Sequence, residues 1–91
     1  MYKIRIEAGL ERILKKLYKK NRKLYDVAVK RIEQIVDTPW HFKPLRHNFG
    51  GLRRIHLESS FVLIFQIDEK SKTVVFLDLD HHDKVYRTRP R

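Results

Sequence analysis

The spacing of apolar residues changes twice along the chain, and this limits the folds that are available to it. Residues 2–8 alternate between apolar and charged side chains, which is typical of a strand with one buried face. Residues 10–36 instead place apolar residues three and four positions apart, as amphipathic helices do. From residue 52 the chain returns to three short runs that are rich in valine, isoleucine, leucine and phenylalanine. The predicted order of elements is therefore strand, helix, helix and three strands.

Two helices are predicted between residues 10 and 36, and Asn21 divides them. Pro39 disfavours a helical conformation in the residue before it, so the second helix should end near residues 37–40. Helices that are joined by a short turn pack as an antiparallel hairpin. The apolar stripes of the two helices are Leu10, Ile13, Leu14, Leu17 and Tyr18, and then Leu24, Ala28, Ile32, Ile35 and Val36.

The predicted fold class is α+β. The order strand–helix–helix–three strands places the helical hairpin on one face of a mainly antiparallel sheet and leaves the other face partly open. A length of 91 residues corresponds to one small domain, so residues 1–91 are expected to fold as a single unit. Residues 88–91 are expected to be a flexible basic tail.

The net charge is the strongest signal in the composition. The chain has 21 lysines and arginines against 11 aspartates and glutamates, which gives a formal charge of +10. This excess favours DNA, RNA, an acidic protein or an anionic membrane as partner, although it can also serve only to keep the surface solvated. The chain has no cysteine, which excludes disulfides and thiolate metal sites. Without a signal-peptide pattern or a long apolar run, a cytoplasmic protein that does not enter a membrane is expected.

Two basic segments could contact nucleic acid. On the first helix, Lys15, Lys16 and Lys19 lie on the polar face, where they would either bind phosphates or simply be solvated. The loop HFKPLRHNFGG interleaves basic and aromatic side chains, a combination that can pair with phosphates and stack on bases. For the aromatic residues Trp40 and Phe42 we favour the alternative that they pack the loop onto the core. The candidate RNA-binding residues of the loop are Lys43, Arg46 and His47.

The pairing of the second and third strands follows from the turn between them. The Ser-Ser pair at residues 59–60 suggests a two-residue hairpin turn. Such a turn places His56 opposite Leu63, and Arg54 then lies opposite Phe65. Side chains alternate along a strand, so each face receives its own set. The predicted open face carries Arg54, His56, Leu63 and Phe65, and the predicted core face carries Ile55, Leu57, Val62 and Ile64.

The last strand ends in a run of charged and imidazole side chains, LDLDHHDKVYR. Leu77 and Leu79 are expected to face the helices, so Asp80 and His82 should lie on the open face. His81 has the opposite parity and is expected to pack or to cap. Because neighbouring residues on a strand point to opposite faces, the two histidines cannot both bind one ion unless the strand ends between them, and no metal site is predicted.

The side chains expected on the open face are suited to acid–base cleavage of RNA. That reaction needs a base for the 2′-hydroxyl proton, an acid for the leaving 5′-oxygen, and cations for the charge that develops around phosphorus. The bland alternative is a polar strand end without chemistry. The candidate catalytic residues are Arg54, His56, His82 and Tyr86, and further phosphate contacts are expected from Arg53, Lys84 and Arg87.

Over residues 2–88 the chain resembles the RelE/ParE superfamily of toxins from toxin–antitoxin pairs. The family patterns pL.g...G.yRir, yRviy.id and ighRdevY are similar to the segments KPLRHNFGGLRRIHL, FVLIFQID and LDHHDKVYR of this chain. The order of elements is also that of the family. The order and spacing of the motifs are specific for the superfamily rather than for one of its subgroups.

This resemblance implies one of two activities. RelE-like members cut messenger RNA in the ribosomal decoding site by 2′-hydroxyl attack, without a metal or another cofactor, whereas ParE-like members bind DNA gyrase without catalysis. The family's catalytic positions fall on Arg54, His56, His82 and Tyr86. Two positions depart from the family pattern, because Val62 and His82 stand where arginine is usual. A third possibility is a basic domain that is not toxic and binds RNA or an acidic partner.

The favoured prediction is the RelE type, a ribosome-dependent mRNA endoribonuclease. His56 and His82 would be base and acid, Tyr86 would assist proton transfer or stack on a base, and Arg54 would stabilise phosphate charge. The expected partners are the ribosome, its mRNA and a small acidic antitoxin with a segment that wraps the basic face. Under the ParE alternative, DNA gyrase replaces the ribosome as the target.

Overall fold

The helices and strands follow the order predicted from the sequence. The computed structural model describes residues 2–41, 52–58 and 60–81. The α+β class is confirmed, and within these ranges no helix is long and apolar enough to cross a membrane. The elements are β1 (Lys3–Ile6), α1 (Ala8–Lys20), α2 (Arg22–Asp37), a short 3₁₀ turn (Pro39–His41), β2 (Leu52–Leu57), β3 (Phe61–Asp68) and β4 (Thr73–His81).

Asn21 separates the two helices, as predicted. Its side-chain oxygen accepts a hydrogen bond from the Leu24 N–H at 3.2 Å, which caps the N-terminus of α2. The backbone N–H of Asn21 donates to the Leu17 carbonyl at 2.8 Å, at the end of α1. At its other end, α2 stops at Asp37, shortly before Pro39, in agreement with the steric effect of proline on the preceding residue.

The four strands form one mixed sheet in the order β1-β4-β3-β2. β3 is antiparallel to both of its neighbours, whereas β1 runs parallel to β4. Parallel strands need a long crossover between them, and the helical hairpin is part of that crossover. β1 and β2 therefore lie at opposite ends of the described sheet, and side chains on β2 lie at its edge.

The helical hairpin packs on one face of the sheet, which we call the near face. All five predicted apolar residues of α2 are buried, and two of those predicted in α1, Leu10 and Leu14, are buried with them. Tyr18, the last residue of the α1 stripe, is instead 49% exposed and contacts Tyr25 edge to face, with ring centroids 5.1 Å apart. The sheet contributes Leu57, Leu63, Phe65, Val74, Phe76 and Leu79 to this core.

The turn between β2 and β3 is one residue longer than predicted. Leu57 pairs with Phe61, so the loop comprises residues 58–60 rather than the Ser-Ser pair alone. Glu58 has a φ of 55°, in the left-handed region that three-residue hairpin loops use at one position. The sequence predicted a two-residue turn because the serines resemble one, and no apolar pattern in the strands fixes the loop length. The predicted register is therefore wrong by one residue.

This shift changes the apolar residues that accompany the two candidate catalytic residues of β2. Arg54 lies opposite Ile64, and His56 lies opposite Val62. These four side chains leave the sheet on the side away from the helices, which we call the distal face. The corrected assignment puts Ile55, Leu57, Leu63 and Phe65 on the near face, and Arg54, His56, Val62 and Ile64 on the distal face.

A β-bulge redirects the second half of β4. Phe65 of β3 pairs with Phe76, whereas its neighbour Ile64 pairs with Asp78. Leu77 is therefore the additional residue of β4, and it packs in the distal apolar cluster, not toward the helices as predicted. Because of this additional residue, the even-numbered Phe76 before the bulge and the odd-numbered Leu79 after it both reach the near face.

Candidate functional site

Arg54 and His56 lie side by side on the distal face. They are two residues apart on β2, so their side chains leave the strand in the same direction. The guanidinium Nη1 of Arg54 is 3.4 Å from Nδ1 of the His56 imidazole. A guanidinium only donates, so Nδ1 accepts, and the neutral imidazole of this arrangement carries its proton on Nε2. His56 is exposed, which leaves its ring accessible to a ligand from solvent.

Two rows of side chains cross the distal face from β2 to β4. Each row begins with a basic residue on β2 and ends with an aspartate on β4. Neighbouring strands are about 4.8 Å apart, so the backbone of each aspartate lies about 10 Å from that of the basic residue in its row. Asp78 accepts a hydrogen bond from the Leu79 N–H at 2.8 Å, and Asp80 accepts one from the His81 N–H at 2.7 Å. A polyanion is therefore attracted to the β2 side of this face and repelled from the β4 side. The rows are Arg54–Ile64–Asp78 and His56–Val62–Asp80.

Val62 occupies the position where the family resemblance expects an arginine. With the corrected register this position lies between His56 and Asp80 on the distal face, not in the near-face core as predicted. The position therefore shares a face with Arg54 and His56, although the residue itself is a fully buried valine without charge. Among the described residues of the two rows, the positive charge comes from the β2 end, where Arg54 stands.

His81 is exposed at the end of β4 and contacts an aromatic side chain of β3. Its ring lies 4.6 Å from the ring of Phe61, and the two residues are paired across β3 and β4. Phe61 itself packs against the near-face core, so His81 contacts a side chain at the margin of that core, in agreement with the expectation that it packs or caps. Within residues 2–41, 52–58 and 60–81, no three metal-binding side chains come together.

Arg53 points away from Arg54, although both were predicted to contact phosphate. It pairs with Phe65 on the near-face side of β2, and its Cζ lies 4.7 Å from the ring centroid of Trp40. Trp40 is 53% exposed, so the expectation that this residue packs onto the core is wrong. Because side chains alternate along a strand, the sequence could have placed Arg53 on the face opposite to Arg54 and His56. Nothing in the sequence pairs Arg53 with Trp40.

A polar network holds the Trp40 side chain in place. The indole N–H donates to the Tyr2 hydroxyl at 2.9 Å and to a Glu69 carboxylate oxygen at 3.2 Å, and the Tyr2 hydroxyl donates to the same carboxylate at 2.9 Å. Lys72 forms an ion pair with Glu69. Hydrogen bonds from Lys72 and then from Tyr2 lower the pKa of Glu69 below its usual value, and the bond to Glu69 raises the pKa of Lys72. The network fixes the plane of an exposed aromatic ring.

The lysines predicted to dock on RNA lie where the helical pattern places them. Lys15, Lys16 and Lys19 are exposed on α1 and line a shallow groove together with Tyr18 and Tyr25. Seven further candidate residues lie outside the described residues, so their predicted roles stay predictions. These are the catalytic candidates His82 and Tyr86 and the RNA-binding candidates Lys43, Arg46, His47, Lys84 and Arg87.

Comparisons with known proteins extend over nearly the whole chain. A family described as the ParE toxin of type II toxin–antitoxin systems matches residues 4–86. A protein of Methanocaldococcus jannaschii that carries the name "Putative toxin RelE4" is 44% identical over 89 residues, which are 98% of this chain and 95% of that protein.

Two solved structures share the fold. A chain of the toxin–antitoxin complex RelBE2 from Mycobacterium tuberculosis has a TM-score of 0.73 and 26% identity, covering 89% of this chain and 98% of that one. A YoeB/ParE toxin from Agrobacterium tumefaciens has a TM-score of 0.79 and covers 88% of this chain and 98% of its own, at 10% identity. At so low an identity the second likeness concerns the fold alone.

Proposed function

Because the chain belongs to the ParE toxin family of type II toxin–antitoxin systems, within the RelE/ParE superfamily, we propose that it is a toxin that cleaves messenger RNA on the ribosome. The observation that carries this proposal is the contact of a guanidinium with an imidazole on the distal face, between Arg54 and His56. RelE-like toxins include endoribonucleases, and these two residue types supply the charge and the proton transfer that such a reaction needs.

The proposed reaction is a transesterification within the RNA. A base removes the 2′-hydroxyl proton, the 2′-oxygen forms a bond to phosphorus, and the bond from phosphorus to the 5′-oxygen breaks as an acid protonates that oxygen. The products are a 2′,3′-cyclic phosphate and a 5′-hydroxyl. No metal or other cofactor takes part in this scheme.

The contact between Arg54 and His56 would have to break before His56 can act as the base. In the free protein the guanidinium donates to Nδ1 of the imidazole. When Arg54 turns to the scissile phosphate, it stabilises the charge that develops there and releases the Nδ1 lone pair to accept the 2′-hydroxyl proton. His82 is the proposed acid, and Tyr86 is proposed to assist proton transfer or to stack on a base. These two residues keep the roles that the family resemblance gave them.

The partners of this toxin would all carry negative charge. Ribosomal RNA is the proposed docking partner of Lys15, Lys16 and Lys19, and a cytoplasmic location follows from the ribosomal target. A small acidic antitoxin is proposed to cover the basic surface when the toxin is silent. The presence of a related chain in a toxin–antitoxin complex, RelBE2 of Mycobacterium tuberculosis, supports this second partner.

The test is primer extension on mRNA from programmed ribosomes, with single variants of the distal face. His56→Ala and Arg54→Ala should each slow cleavage by about 10²-fold or more, since each removes a group from the reaction itself. Arg5→Ala is the matched control, because it removes an exposed arginine from the opposite edge strand of the described sheet, where it forms an ion pair with the half-exposed Glu7. Circular dichroism verifies that each variant is folded. Unchanged cleavage by the first two variants would refute the assignment.

The second candidate is a toxin that binds DNA gyrase without catalysis. Two observations favour it: the family match names the ParE toxin, and Val62 stands at the usual arginine position without any charge. A gyrase-directed toxin should produce gyrase-dependent DNA breaks, and His56→Ala should leave these unchanged. Measuring DNA breaks and mRNA cleavage with the same set of variants separates the two candidates.

A further inference from the structure

We propose that Trp40 and Arg53 form a stacking site for an unpaired RNA base, separate from the Arg54–His56 pair. This inference rests on the proposed function only in taking RNA as the ligand. The contact between Arg53 and Trp40 has no part in the proposed cleavage reaction. Trp40 was expected in the core from the sequence, but its side chain is exposed.

The Trp40 ring has the properties of a fixed platform. It is 53% exposed at the end of the α2 segment, in the 3₁₀ turn at Pro39–His41. Its indole N–H is held by Tyr2 and Glu69 at 2.9 and 3.2 Å, so the ring plane is set before any ligand arrives. An exposed aromatic face that is already oriented binds a base with little loss of conformational entropy.

Arg53 gives this platform a positive charge. Its guanidinium carbon lies 4.7 Å from the Trp40 ring centroid, which is the geometry of a cation–π contact. A guanidinium is planar and stacks on bases as well as on indole, while its N–H groups can bind phosphate. A base can therefore stack on the exposed part of the indole while Arg53 binds the adjoining phosphate. Every base has a π-face, so we expect weak sequence preference.

The position of the platform relates it to the candidate catalytic pair. Arg53 and Arg54 are consecutive residues of β2, and their Cα atoms are therefore about 3.8 Å apart. Their side chains leave opposite faces of a strand at the end of the described sheet. An RNA strand that passes over this edge meets Arg54 and His56 on one side and Trp40 with Arg53 on the other. The platform would thus hold a nucleotide next to the linkage that is cut.

The experiment uses the single tryptophan of the chain as its reporter. A short single-stranded RNA with 2′-O-methyl groups cannot undergo the cleavage reaction, and it is titrated into the protein without ribosomes. A fluorescent label on the RNA reports binding by anisotropy, while tryptophan emission reports stacking. The expected result is quenching that saturates with the anisotropy change. An abasic oligonucleotide of the same charge should bind without this quenching.

Matched variants separate stacking from charge. Trp40→Ala should weaken RNA binding about 5- to 100-fold, and Trp40→Phe should retain most of the affinity because a ring remains. Arg53→Gln should weaken binding and reduce the dependence of log affinity on log salt concentration by about 0.7. Arg5→Gln is the control, since it removes an exposed guanidinium from β1, at the opposite end of the described sheet. It should reduce affinity less than Arg53→Gln does.

Two results would overturn the proposal: RNA binding without quenching, or no RNA binding at all. Neither outcome bears on mRNA cleavage, which His56→Ala tests separately, so a platform that fails does not remove the proposed function. Conversely, quenching by RNA in a protein that cuts no mRNA would support the platform and count against the nuclease. Trp40→Ala should lose more affinity for mRNA-programmed ribosomes than for empty ones, because the platform holds the message next to the cut linkage. An equal loss on both would assign the stacked base to ribosomal RNA and overturn this placement.

Discussion

Shortening Val62 to alanine should destabilise the protein by about 2 kcal/mol, because this side chain belongs to a second apolar layer on the distal face. Val62 is fully buried there, in a cluster with Ile64, Leu52 and Leu77. The substitution removes the equivalent of two methylene groups, at about 0.8 kcal/mol each, and leaves a small cavity that adds to the loss. In a domain of this size, that free energy lowers the melting temperature by about 8–16 °C.

The assay is urea denaturation followed by circular dichroism, with Val29→Ala as the matched control. Val29 is a partly exposed residue of α2 that belongs to neither apolar cluster, so the same substitution should change the free energy of unfolding by less than about 0.5 kcal/mol. Equal effects of the two substitutions would refute the packing of the distal face. In the proposed cleavage reaction Val62→Ala should retain activity within a few-fold, since valine contributes neither charge nor a proton.

The register of β2 and β3 predicts which cysteine pairs can be cross-linked in a chain without native cysteine. Leu52→Cys with Gln66→Cys should form a disulfide on mild oxidation, because the Cα atoms of paired residues are about 4.5–5.5 Å apart. The control pair, Leu52→Cys with Ile67→Cys, should stay reduced. The opposite preference would contradict the register. The hydrogen bonds to Glu69 predict that the stability of the fold depends on pH, because they lower the pKa of this carboxyl group below its usual value of 4.5. The resulting stabilisation is fully present above pH 4.5 and is lost as the pH falls through the lower pKa of the folded state. The urea midpoints of wild type and Glu69→Gln should differ at neutral pH and converge below pH 4.5, and a difference that stays constant would count against the network.

The helices could be predicted closely because their signals are local. The apolar spacing of α2 identified all five of its buried residues, and Asn21 was recognised as a break because its side chain can replace a missing backbone partner at a helix start. The same is true of strand positions within one element, since alternation alone placed Arg54 and His56 together. The backbone geometry of a helix or a strand fixes which sequence positions share a face, so the spacing of residue types within one element is enough to predict its buried side.

Contacts between elements were predicted less well because they depend on loop lengths and irregularities. One additional loop residue before Phe61 exchanged the faces of the residues that follow it in β3, and one bulged residue, Leu77, did the same in β4. The exposure of Trp40 depends on partners that are distant in sequence, Tyr2 and Glu69.

The sequence by itself determined the order of elements, the two amphipathic helices and the presence of a guanidinium and an imidazole on one face of β2. Only the tertiary structure decided which residues stand opposite them, because pairing across strands is a relation between segments that no single segment encodes. It also decided that Arg53 contacts Trp40, a residue of another element. A one-residue change in a loop costs little free energy, yet it turns every later side chain of a strand to the other face.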